Sequence, residues 1–82
     1  MRRVQAQGRD GAVQFLLHRV ADGVYVERVE ERRRGLHTVQ SMIFGDAESF
    51  TRWCDGDPVR FDHPVLHVNL KRCGDELLRP PG

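Results

Sequence analysis

The sequence predicts an α+β domain, a three-stranded antiparallel meander followed by one or two short helices. Three observations predict it. Two apolar runs, residues 13 to 20 and 24 to 29, meet at Asp22-Gly23, and a third run follows the turn Arg32-Arg33-Arg34-Gly35. Beyond Gly45 the apolar spacing changes from strand-like alternation to a helical stripe.

Taken in order, residues 1 to 11 carry Gly8, Gly11 and scattered charge without periodicity, and are expected to form a flexible arm. The single small domain is expected over residues 12 to 79. Asp-Gly between hydrophobic runs is a strong hairpin signal, because a tight primed turn needs positive φ angles that glycine adopts freely. A loop of Asp22 and Gly23 pairs Ala21 with Val24, Arg19 with Val26 and Leu17 with Arg28, which puts Phe15, Leu17, Val24 and Val26 on one face. Centring the next turn on Arg33-Arg34 adds Val39 and Ile43 to that inner face. Leu16, Val20, Tyr25, Val29 and Met42 then share the opposite face with His18, Glu27, Thr38 and Gln40.

After Gly45, Asp46 can cap a helix that carries Ala47, Phe50, Trp53 and Cys54 on one stripe and stops at Asp55-Gly56. Trp53 is the expected centre of the core. Asp57-Pro58 begins a connector. From Pro64 onward, Leu66, Leu70, Cys73 and Leu77 fit a helical arc, with Pro64 in the first turn and Gly74 as terminator. Leu66, Val68 and Leu70 also alternate as in a strand, so a fourth strand is the alternative for this last element. Pro80-Pro81-Gly82 is expected to be a disordered tail.

The 82 residues are 39% hydrophobic and 30% charged, the balance of a folded chain with a small core. No apolar run approaches the length of a membrane span, and the basic N-terminus lacks the apolar stretch of a secretory signal. The expected setting is the cytoplasm, without membrane partners, in a protein of bacterial type. Cys54 and Cys73 are too few for a disulfide scaffold and are expected to be reduced. The formal charge of +1 is unevenly spread, since residues 1 to 35 are net basic and residues 36 to 82 net acidic.

Three constellations could carry chemistry. Cys54, His63, His67 and Cys73 are metal-competent, but without a Cys-x-x-Cys pair, and with Cys73 turned away from the His67 direction on a helix, neither metal nor other cofactor is expected. Cys54, His67 and Asp62 supply the groups of a nucleophilic site, yet no phosphate loop, nucleophile elbow or His-Glu-x-x-His helix accompanies them, so a non-catalytic protein is expected. Arg19, Arg28, Arg32, Arg33 and Arg34 could meet phosphates, an alternative role in nucleic-acid binding that Glu27, Glu30 and Glu31 weaken. In element order, residues 13 to 54 resemble the small sheet-type DNA-binding domains of some integrases and plant transcription factors. That resemblance carries no diagnostic motif and transfers no residue roles. The apolar face of Leu16, Val20, Tyr25, Val29 and Met42 needs cover, which favours association with itself as a homodimer, or with another protein.

Overall fold

Alternating apolar and polar side chains favour extended chain with one buried face, and the first half of this protein is built of four strands, not all of which show that alternation in their own sequence. The computed structural model describes residues 1–8 and 11–79. Its elements are β1 (Arg2–Gly8), β2 (Gly11–Val20), β3 (Gly23–Arg32), β4 (Gly35–Phe44), α1 (Ala47–Gly56), α2 (Val59–Asp62) and α3 (Pro64–Leu78). The strands form one antiparallel sheet in the order β1-β2-β3-β4. The α+β layout of sheet followed by helices is the expected one, with four strands in place of three.

The additional strand is N-terminal. Within the segment read as a flexible arm, Arg2–Gly8 pairs with β2, setting Val4 opposite Phe15 and Ala6 opposite Val13. Val4 and Ala6 then pack against the core. Two small apolar residues do not announce a strand by themselves; β1 forms because β2 already offers it a hydrogen-bonding edge and a buried face. The rest of the arm at residues 9 and 10, and the tail at 80 to 82, lie outside the described residues.

Both hairpin registers differ from expectation, with opposite consequences. The first loop is Ala21-Asp22, so Val20 pairs with Gly23 and Leu17 opposes Val26 rather than Arg28. That is a two-residue change, which preserves the faces. Gly23 has φ 142, and a Cβ there would collide with the Phe44 backbone oxygen, so glycine opens the strand rather than completing the loop. The second turn is centred on Arg33-Arg34 as expected, pairing Arg32 with Gly35 and Val29 with Thr38. Between Arg28 and Val29 the register shifts by one, leaving Val39 as an extra residue in β4. Beyond this bulge every β4 side chain changes face. Met42 and Phe44 turn inward opposite Val26 and Val24, whereas Ile43, expected in the core, is 56% exposed, and Val39 is exposed as well.

The core lies between the inner face and the helices. Phe15, Leu17, Val24 and Val26 from the sheet meet Phe50, Cys54, Val59, Leu66, Leu70 and Cys73 from the helical layer. Full burial of each larger aliphatic or aromatic side chain contributes about 1.5–3 kcal/mol. Asp46 caps α1, its Oδ1 accepting the Ser49 N–H at 2.7 Å. Phe50 is fully buried, while the larger Trp53 is half-buried at the margin. Trp53 packs on Phe15, Phe44 and Phe50 with ring centroids 5.9, 5.3 and 6.2 Å away, so the aromatic centre expected at Trp53 belongs to Phe15 and Phe50.

The last long element is a helix with Pro64 in its first turn, which resolves the helix-or-strand ambiguity. Gly74 does not terminate it. The helix continues to Leu78, and the Phe50 ring lies where a Gly74 Cβ would project. Gly74 is thus a packing residue in the helix interior. Gly74→Ala is expected to destabilise the protein by about 2 kcal/mol despite the higher helix propensity of alanine, because overpacking outweighs propensity. Urea unfolding measures it; a stabilised Gly74→Ala variant would contradict this packing.

Two carboxylates lie below the usual range: Asp46 through the hydrogen bond from the Ser49 N–H, and Asp55 mainly through the hydrogen bond from Lys71 at 3.0 Å. A carboxyl whose pKa is lowered on folding contributes stability that is complete above its unfolded value, near 3.8, and is lost as pH falls through the folded value. The urea midpoint is therefore expected to hold steady from about pH 7 to about pH 5 and to fall below about pH 4. A midpoint that rose on acidification would oppose this assignment.

Candidate functional site

The cross-strand register lays out the outer face residue by residue. One row holds Arg3, Leu16, Glu27 and Ser41; the next holds Gln5, Gln14, Val29 and Thr38. On the other side of the first row lie His18, Tyr25 and Ile43, followed by Val20. Leu16, Val20 and Tyr25 are half-buried by strand neighbours, and Val29 is 7% exposed although it stands outside the core cluster. Met42 does not join them, since the Val39 bulge turns it inward. Leu36 and Ile43 take its place, each 56% exposed. Sequence alternation alone hides Ile43, because it assumes an unbroken period through β4, whereas Leu36 shares the parity of Thr38 and falls on this face with or without the bulge.

Among the described residues, none of the three helices covers this face: Phe50, Cys54, Val59, Leu66, Leu70 and Cys73 all join the core cluster with the inner-face residues of the sheet. The His18 and Tyr25 rings stack across β2 and β3, with centroids 5.0 Å apart. The His18 Nδ1 is buried without a hydrogen-bond partner among the described residues. Polar groups frame the apolar ones, including the Thr38 hydroxyl, which donates to Glu27 Oε1 at 2.7 Å.

The five arginines of the alternative reading do not form one surface. Arg19 is on the inner face, its Nε donating to the Leu77 carbonyl at 3.0 Å and its Nη2 to the Arg79 carbonyl at 3.4 Å at the end of α3. Arg28 also points inward: its Nη1 donates to both Asp57 carboxylate oxygens at 2.9 and 3.0 Å, and its Nε to Glu30 at 2.9 Å. Its guanidinium lies 5.5 Å from the Phe15 ring centroid. Arg32 reaches Glu30 at 3.4 Å, which leaves Arg33 and Arg34 exposed at the hairpin tip. A polar cleft of about 840 Å³ opens beside Arg28, lined also by Glu30, Glu31, Asp62 and His63.

The four metal-competent side chains are likewise divided. Cys54 and Cys73 are buried in the core cluster, His67 Nε2 lies 3.2 Å from Asp55 Oδ1, and His63 lies at the junction of α2 and α3 beside Gly8. No group of three or more His, Cys, Asp or Glu side chains among the described residues is placed to hold a metal ion. Burial pushes the Cys54 thiol up to about 12, so it stays protonated at neutral pH and is a poor nucleophile. Cys73 accepts a hydrogen bond from Arg2 Nη2 at 3.5 Å; the same guanidinium pairs with Glu76 at 2.9 Å and ties α3 to β1. No helix among the described residues is long and apolar enough to cross a membrane. Comparisons with family models, with curated proteins and with solved structures find no match for this chain.

Arg28 is therefore assigned to holding the connector after α1, where Asp57 Oδ1 also accepts the Val59 N–H at 3.0 Å. Arg28→Met is expected to cost about 3 kcal/mol, because it leaves the Asp57 carboxylate, 9% exposed, without its cation. Chemical denaturation reads this cost; an Arg28→Met variant of unchanged stability would return Arg28 to the pool of free surface arginines.

Proposed function

We propose that this protein is a small non-catalytic interaction domain that associates with a second copy of itself through the outer face of its sheet. The supporting observation is the helix layer, which packs on one face and leaves Leu36 and Ile43 exposed on the other, beside half-buried Leu16, Val20 and Tyr25 and buried Val29. An apolar patch framed by polar residues is the usual composition of an association surface. The charged groups of the face, Arg3, Glu27 and Glu31, are of mixed sign, so two copies approach without a large like-charge field. A second copy is also the partner present at equal concentration whenever the chain is made. A different protein on the same face is the other occupant. Nucleic-acid binding takes second place, because Arg19, Arg28 and Arg32 already have intramolecular partners.

Leu16→Lys places a charge on a central strand of the face, away from the core. The variant is expected to have at most half the wild-type mass by light scattering, with an unchanged circular-dichroism spectrum. Wild-type protein that is already monomeric would exclude self-association. A monomer carrying nucleic-acid absorbance that salt removes would place the arginines first.

A further inference from the structure

The edge of the sheet offers a second surface, separate from its face. In this order of strands, β1 and β4 are the two edges. The β1 edge is guarded: it carries Arg2 and Arg3, and Arg2 is bonded to Glu76 and Cys73 of α3. The β4 edge carries nothing comparable. None of the ten residues of Gly35–Phe44 is Asp, Glu, Lys, Arg or Pro, and Gly35 to Ser41 are exposed without interruption. In a chain that is 30% charged, such an edge is unusual, since unpaired strand edges are normally protected by lysine, proline or cover.

We propose that β4 pairs antiparallel with β4 of a second copy of this chain, joining two four-stranded sheets into one. The bulge at Val39 permits a two-fold register between the two halves of the strand. In a regular strand, side chains on one face share the same parity, so a two-fold pairing of Leu36 with Ile43 would bring opposite faces together. Here Leu36 and Thr38 before the bulge and Ser41 and Ile43 after it all face outward. A two-fold axis between Val39 and Gln40 therefore sets Leu36 opposite Ile43 of the second copy and Thr38 opposite its Ser41, outer side against outer side. The ladder is interrupted at the bulge and runs as two symmetric halves around the axis. The two most exposed outer-face apolar residues, each 56% accessible, then pack against one another across the new strand pair.

Edge pairing also supplies main-chain hydrogen bonds, which no face-to-face contact supplies. It does not require the face itself to be an interface.

The test is the register. Thr38→Lys/Ser41→Lys sets lysines directly opposite one another twice across the axis, whereas Thr38→Glu/Ser41→Lys sets Glu opposite Lys. Light scattering is expected to give half the wild-type mass for the double-lysine variant and full mass for the Glu/Lys variant, with both spectra native. Wild-type mass in the double-lysine variant overturns edge pairing. So does half mass in both variants, which marks damage unrelated to register, and so does a monomeric wild type. Leu16→Lys separates the two surfaces: if it retains wild-type mass while the double-lysine variant is halved, the face reading fails and the edge stands.

Discussion

A sheet has two faces and two edges, and the helices among the described residues cover one face only. The remaining architecture follows from that constraint. Leu66, Leu70 and Cys73 of α3 run under β1, β2 and β3, while Phe50 and Cys54 of α1 fill the space toward β4. Their apolar stripes are exhausted on Phe15, Leu17, Val24 and Val26. Among the described residues nothing remains for the other side of the sheet, where Leu16, Val20, Tyr25 and Val29 shield one another across strands but meet no second layer. Helices on one face of an antiparallel sheet make a two-layer domain, and here the solvent-side face adds the exposed apolar pair Leu36 and Ile43.

The charged residues of the inner side serve that packing. Arg28 emerges from a strand into the margin of the core, lays its guanidinium beside Phe15, and bonds Asp57 where the chain leaves α1. Asp57 in turn accepts the Val59 N–H and starts α2, so one ion pair fixes the turn between two helices and the sheet beneath them. Arg19 neutralises carbonyls at the end of α3, a favourable place for a cation. An arginine-rich sequence that suggests a polyanion surface thus commits three of the five arginines considered to its own fold. The other two, Arg33 and Arg34, are exposed neighbours at a hairpin tip, with Glu30 and Glu31 close by on β3.

Face and edge come together at β4. The bulge that turns Met42 and Phe44 into the core also pushes Ile43 to the outside, onto the face where Leu36 already stands, so the residue that perfects the interior completes the exposed apolar pair. An edge bulge commonly protects a strand from indiscriminate pairing by breaking its ladder. In β4 it does more, because it reverses side-chain parity at the middle of an uncharged strand and so allows two-fold registers in which the two halves pair with matching faces, among them the one that sets Leu36 opposite Ile43. Selectivity for a second copy over a foreign strand would then come from parity rather than from charge.

Local sequence was enough for the class of the fold, the inner-face residues of β2 and β3, the Asp46 cap and the existence of a second apolar face. Those features rest on local periodicity and on residues whose backbone preferences are strong, so they are present before any long-range contact forms. Everything else waited on contacts between distant elements. β1 exists because β2 offers it an edge; a one-residue bulge exchanges Met42 and Ile43; Phe50 displaces Trp53 as the aromatic centre because Gly74 makes room for its ring; and Arg28 becomes structural because Asp57 arrives from a distant part of the chain. Each of these depends on a neighbour supplied by another element, and side-chain parity, cavity shape and ion pairing are properties of that neighbour as much as of the residue itself.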